Sequence, residues 1–262
     1  MGIKLNNKIL NKVKIMSILN NDIYEIEQYT NILNFTPITK LKNNKTIIEL
    51  INHYNLNIND FYKTKDKLYP YCYFKDFILI EIYDMSKKFF NDFRIVEIIK
   101  QRNELMNKFL LNKQYEKIFT FIDKPLRFMF YKSLFDEIPD DQKYSIFKSV
   151  YTSSEYGFNQ LSRDLLNKIF KYNIVSKEWF KKNIIIIYRG EGERSTDYTK
   201  VYSWTTSKKI ADFFAHRFDS EGIIYKAKVK QQDILDYIND RDEQEILVSP
   251  ENVYDVEEYY ID

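Results

Sequence analysis

IIIIYRG (Ile184–Gly190), followed after a polar loop by YSWTTS (Tyr202–Ser207), is the stretch where this chain turns from helix to sheet. IIIIY is a continuous β-branched run, the pattern of a strand buried on both faces. Three of the five glycines, Gly190, Gly192 and Gly222, fall at its end or soon after. The intervening GEGERSTDYTK (Gly190–Lys200) reads as a polar loop. YSWTTS is a second short strand, and SKKIADFFAHRF (Ser207–Phe218) a helix with Ser207 placed to cap it. GIIYKAKV (Gly222–Val229) alternates as a strand should, and Asp233–Ile238 reads as a short helix. EQEILV (Glu243–Val248) is a strand ended by Pro250, and VYDVEEYYI (Val253–Ile261) a final strand.

Upstream of this region, residues up to about 180 read as mostly helical. Ile9, Val13, Ile15, Met16 and Leu19 recur near helical spacing, as do Ile23, Ile26, Tyr29 and Leu33. Thr46 before IIELINHY is placed as a helix cap. Phe74 to Phe121 is long and periodic, enough for two or three helices. Pro125 suits the first turn before LRFMFYKSLF. Pro139, Asp140 and Asp141 punctuate before the next helix, and Gly157 precedes FNQLSRDLLNKIF. The expected fold class is therefore α+β. A helical N-terminal region, 1–180, precedes an α+β domain at 181–262, which helices from about residue 140 onward complete.

Composition narrows the function classes. Hydrophobic residues make up 44% of the 262, enough for a core, and charged residues 30%, as in soluble chains. The formal charge of +2 (40 basic against 38 acidic residues) carries no overall bias toward polyanions. Cys72 is the only cysteine, so no internal disulfide can form, and with only His53 and His216 a zinc centre is not expected. The apolar residues after Met1 are broken by Lys and Asn, unlike a signal peptide, and no apolar run reaches membrane-spanning length. A cytoplasmic location is expected, with delivery into another cell as the other route. The abundance of Lys, Asn, Ile, Tyr and Phe reads first as the bias of an AT-rich coding sequence.

Three islands place polar groups where buried strands normally avoid them. Arg189 ends the first, where a guanidinium can grip phosphate or ribose with several donors at once. Gly190 beside it lets a ligand approach the backbone. In the second, Ser203, Thr205 and Ser207 share one face of a regular strand, and Tyr202, Trp204 and Thr206 the other. In the third, Glu243 and Glu245 share a face, two carboxylates that repel unless solvent or a ligand stands between them. Each island alone also fits ordinary structure: a strand-end arginine beside a turn glycine, a threonine-rich strand entering a helix cap, an edge strand with solvated carboxylates.

In this order the islands resemble the arginine–serine–glutamate class of mono-ADP-ribosyltransferases, over roughly residues 183–262. Arg189-Gly190 matches its first motif, Thr205-Thr206-Ser207 its Ser-Thr-Ser, and Glu243-Gln244-Glu245 its Glu-x-Glu. Ala211, Phe214 and Ala215 match the helix that follows the hydroxyl strand. The resemblance implies a core of two packed β-sheets with flanking helices. It implies NAD as the substrate, and no metal. Arg189 would hold NAD, with Gly190 pairing to the nicotinamide amide. Thr205, or Ser203 on the same face, would orient the catalytic Glu245, which stabilises the cationic ribose as carboxylates do in glycosidases. Glu243 would orient or deprotonate the acceptor. Thr206, Ser207, Phe214, Arg217 and Phe218 complete the implied pocket. The Asn239–Asp242 loop would face the acceptor, or form a solvated turn.

The expected activity is transfer of ADP-ribose to a protein arginine with release of nicotinamide. The alternatives are transfer to a nucleic-acid base, hydrolysis of NAD with water as acceptor, and a non-catalytic binding module. Lys and Tyr in the N-terminal region would suit single-stranded nucleic acid. Size and composition suit a small toxin or phage-encoded effector. No membrane partner is implied.

Overall fold

The computed structural model describes residues 35–154, 158, 161–173, 179–193, 195–217 and 221–260. The helices expected between Ile9 and Leu33, as well as Gly157 and Phe218, lie outside these. The protein is mixed α+β, and its chain divides into two compact units, Met1–Asn167 and Lys168–Asp262. The expected break at 180 falls inside the second unit.

The first unit is less helical than its sequence suggests. Four strands, β1 (Thr36–Pro37), β2 (Phe61–Lys63), β3 (Tyr71–Lys75) and β4 (Ile78–Ile82), form an antiparallel sheet in that order. Residues from Phe74, read as helical, thus begin in a β-hairpin. Lys75 pairs with Ile78, leaving a two-residue turn, Asp76-Phe77, with both φ angles positive at 50° and 60°. That is the backbone of the type I′ turn, which normally advertises itself with Asn-Gly or Asp-Gly. Here a phenylalanine takes the left-handed position. Phe77 is buried, its ring edge-on to Phe130 at 4.8 Å, and that burial offsets the backbone cost.

The helices of this unit are α1 (Lys45–His53), α2 (Lys87–Asp92), α3 (Ile95–Leu111), α4 (Tyr115–Phe121), α5 (Arg127–Leu134) and α6 (Asp140–Ser153). Thr46 lies inside α1, and Asn44 takes the cap position with its amide turned back to the Ile38 carbonyl at 2.8 Å. Pro125 sits in a single 3₁₀ turn, Lys124–Leu126, that leads directly into α5, and Pro139 immediately precedes α6. Phe90, Phe128, Phe130, Tyr131 and Phe147 are essentially inaccessible, so aromatic packing dominates this core. Among the described residues no helix is long and apolar enough to cross a membrane. Helix α7 (Arg163–Phe170) runs across the division in sequence.

The second unit is one six-stranded antiparallel sheet, ordered β10-β7-β5-β6-β9-β8. Its strands are β5 (Ile184–Glu191), β6 (Ser203–Thr205), β7 (Ile223–Lys230), β8 (Ile234–Ile238), β9 (Glu245–Val248) and β10 (Tyr254–Tyr259). The expected pair of sheets is therefore a single sheet, but one with a seam. Its two three-stranded halves meet at one register pair, Tyr188 with Thr205. A common core joins them: Ile185, Ile187, Ala227 and Val229 from one half, and Trp204, Ile234, Ile246 and Val248 from the other.

Two further readings change. Residues 234–238, expected as helix, are strand β8, with Ile234, Asp236 and Ile238 buried on one face. The isoleucine run is buried on one face only. Ile185 and Ile187 are in the core, whereas Ile184 and Ile186 are 51% and 46% exposed. Helix α8 (Lys208–Ala215), about 12 Å long at 1.5 Å per residue, packs against the Tyr188–Gly190 end of β5 through Ala211 and Ala215. It leaves Ile184 and Ile186, at the other end of that strand face, exposed.

Candidate active site

Arg189 sits near the end of β5, on the same strand face as Ile185 and Ile187, and is mostly buried. Its three guanidinium nitrogens each find an acceptor in the protein. Nη1 donates to the Ser203 carbonyl at 2.9 Å, Nη2 to the Thr196 carbonyl at 2.9 Å, and Nε to Glu191 Oε1 at 3.1 Å. Arg189 thus pins the start of β6 to β5 where the sheet's own pairing is thinnest. Burial pushes the Glu191 carboxyl up from the usual range, and the Arg189 hydrogen bond and charge only partly oppose it.

Trp204 faces the core beside Ile187 and Ile246. Alternation sends its neighbours Ser203 and Thr205 to the opposite face, where Glu245, alternating with Ile246, also lies. Glu245 is the first residue of β9 and only 6% exposed. Ser203 Oγ donates to Glu245 Oε1 at 2.5 Å. A chain of contacts therefore runs from Arg189 through the Ser203 backbone and hydroxyl to the Glu245 carboxylate, joining residues far apart in sequence.

Of the two hydroxyls left open by the sequence, Ser203 is the one that reaches Glu245. Thr205 is the direct cross-strand partner of Glu245, but its hydroxyl donates instead to the Glu243 carbonyl at 2.7 Å and accepts from the Ser207 amide at 3.0 Å. Thr206 donates its hydroxyl to Gln244 Oε1 at 2.9 Å and its amide to the Gln244 carbonyl at 3.1 Å. The two threonines fasten the loop before β9. That loop is strained, with Asp242 and Gln244 in the left-handed region at φ 56° and 47°. The Asn239 side chain accepts from the Gln244 amide at 3.1 Å.

Glu243 precedes β9 and so does not share a strand face with Glu245 by alternation. The two carboxylates converge on a cation instead. Arg241 Nη2 lies 2.8 Å from Glu243 Oε2 and 3.8 Å from Glu245 Oε2. The repulsion expected between the pair is relieved within the chain itself.

The remaining residues divide. Gly190 is needed by α8: a Cβ there would stand 1.9 Å from the Ala211 carbonyl oxygen and 2.5 Å from the Ala215 nitrogen. Close approach is indeed why it is glycine, but the approaching backbone is a helix. Ser207 caps α8, its hydroxyl accepting from the Ile210 amide at 3.4 Å. Phe214 is half-buried, with the exposed Arg217 guanidinium 6.0 Å from its ring centre. Neither residue is part of the Arg189–Ser203–Glu245 chain of contacts.

Sequence reasoning passed over Glu191 and assigned Arg241 only to a loop. Alternation on one strand pairs Arg189 with Glu191, and the i, i+2, i+4 spacing of Arg241, Glu243 and Glu245 is a visible charge pattern. Comparison of the chain with protein-family models, curated proteins and solved structures finds no match.

Proposed function

We propose that the second unit is an NAD-dependent mono-ADP-ribosyltransferase whose acceptor is a protein arginine. One observation carries this reading: Arg189 and Glu245, two residues of the motif resemblance, are linked through Ser203, the hydroxyl it left as the alternative to Thr205, by direct hydrogen bonds. Breaking the nicotinamide–ribose bond builds positive charge on the sugar. A carboxylate already held in place stabilises that charge without reorganising at the moment of reaction. Ser203 supplies the restraint on Glu245, and Arg189 fixes the strand that carries Ser203.

The acceptor assignment rests on Glu243. Its carboxylate already binds one guanidinium, that of Arg241. A group that pairs with an arginine from its own chain is suited to pair with one from another.

The test uses NAD labelled on its adenylate half, purified protein and a cell lysate, with Glu245→Gln as the control. Protease-sensitive label is expected, removable by hydroxylamine. Glu245→Gln should lower nicotinamide release by roughly 10²–10³-fold, the range for losing one preorganised electrostatic group, while circular dichroism stays unchanged. Nuclease-sensitive label would replace arginine with a nucleic-acid base. Nicotinamide release without transfer would leave water as the acceptor. No consumption of NAD in any lysate refutes the enzyme reading.

A further inference from the structure

The place an acceptor guanidinium must occupy is already filled by the protein's own Arg241. In the proposed reaction the acceptor nitrogen has to contact Glu243 and lie close to Glu245. Arg241 Nη2 meets both requirements, at 2.8 Å from Glu243 Oε2 and 3.8 Å from Glu245 Oε2. The side chain is not entombed: it is 43% exposed, so a substrate can reach the guanidinium. The loop that carries it is held at both sides. Asn239 anchors one part through the Gln244 amide, while Thr205 holds the Glu243 carbonyl and Thr206 holds both the side chain and the carbonyl of Gln244. An arginine tethered in this way reaches the carboxylates without a bimolecular encounter, an advantage that intramolecular reactions convert into rate.

We infer that Arg241 is a self-modification site, ADP-ribosylated in cis by the same active site; this rests on the transferase reading above. An Nη nitrogen of Arg241 forms a bond to C1′ of the nicotinamide-bearing ribose. The C1′–N bond to nicotinamide breaks, and its electron pair leaves with the ring nitrogen, which becomes neutral. The guanidinium gives up one proton to the Glu243 carboxylate and from there to water. The product carries two phosphate charges on the residue that neutralised Glu243 and Glu245. Modified Arg241 therefore blocks the site it came from, and the enzyme limits its own turnover.

The experiment incubates the full chain with NAD and no other protein, and follows nicotinamide release together with mass-spectrometric mapping of the adduct. The expected result is one adduct on Arg241, formed at a rate per molecule that does not change on tenfold dilution of the protein. Nicotinamide release should slow in step with its appearance. In Arg241→Lys, label incorporated per nicotinamide released should fall at least tenfold, whatever the overall turnover. Nicotinamide release with no adduct, an adduct only at other residues, or a rate per molecule that falls with dilution overturns the inference and leaves the transferase reading standing. Absence of nicotinamide release, in the wild type and with lysate added, is the separate result that removes both.

Discussion

Gly190→Ala separates two explanations of the same residue. If Gly190 is glycine so that a ligand can approach, alanine should leave the fold intact and weaken ligand binding. The structure instead puts the added Cβ 1.9 Å from the Ala211 oxygen and 2.5 Å from the Ala215 nitrogen. Ordinary contact begins near 3.4 Å, so β5 and α8 must separate locally by roughly 1.5 Å, a large overpacking shift. Both opposing atoms are backbone, and no rotamer change can relieve them. The substitution belongs at the upper end of the overpacking range, about 3 kcal/mol. For a unit of about one hundred residues each kcal/mol shifts the melting temperature by roughly 4–8 °C, giving a fall of ~12–24 °C. The assay is tryptophan fluorescence on heating, excited at the red edge of the absorption band where tyrosine does not contribute. Both tryptophans, Trp179 and Trp204, lie in the second unit, and Trp204 is buried in its core, so the signal reports that unit alone. A melting temperature within about 2 °C of wild type would refute the steric argument and return Gly190 to the ligand.

Three other substitutions test the remaining logic. Ser203→Ala removes a hydrogen bond to a buried carboxylate, worth about 1.5–3 kcal/mol, and should lower kcat for nicotinamide release about ten- to a hundredfold. Thr205→Val should cost stability in the 239–244 loop and affect kcat less; the reverse order of the two would restore Thr205 as the orienting hydroxyl. In the first unit, burial raises the Asp123 carboxyl above its usual range, and the charges of Arg102 and Arg127 only partly compensate. A raised folded-state pKa means that the native state takes up the proton first as pH falls. The charge penalty is full above the folded pKa and disappears toward the unfolded value near 3.8. Wild type should therefore gain on Asp123→Asn in thermal stability between pH 7 and pH 4, and a difference moving the other way refutes the assignment.

The strands that sequence alone read well are those whose alternation is strong on one face and whose ends are marked. Strand β7 alternates buried Ala227 and Val229 with Lys226, Lys228 and Lys230, and Gly222 precedes it. Strands β3 and β4 were illegible for a local reason. Their turn is formed by Asp76 and Phe77, and a phenylalanine in the left-handed region signals continued apolar periodicity, not a turn. Burial of Phe77, with the Phe130 ring packed against it, offsets the cost of that turn, and this long-range contact has no trace in the window around residue 76. Strand β8 misled in another way. Asp236 lies on its buried face, where an alternation template expects an apolar side chain, so the stretch matched a short helix better.

The site was legible as residue types in order, and illegible as contacts, because contacts depend on register. Alternation places Ser203 and Thr205 on one face, and both are candidates to meet a glutamate across the strand. The register makes Thr205 the direct neighbour of Glu245 and sets Ser203 opposite Leu247. By pairing alone Thr205 should win. It does not, because the loop before β9 enters with two left-handed residues and leaves the Glu243 carbonyl within reach of the Thr205 hydroxyl. A β-branched side chain has little freedom to serve two directions. Once Thr205 holds the loop, the diagonal Ser203, unbranched at Cβ, is the hydroxyl that reaches Glu245. The same loop carries Arg241 to both carboxylates. Strain in the Asn239–Gln244 segment thus explains which hydroxyl orients Glu245 and which cation stands before it. Replacing Gln244 with proline, which cannot take a positive φ and removes the amide that Asn239 binds, should loosen both contacts together if a single loop conformation sets them, read as a joint fall in nicotinamide release and in Arg241 labelling.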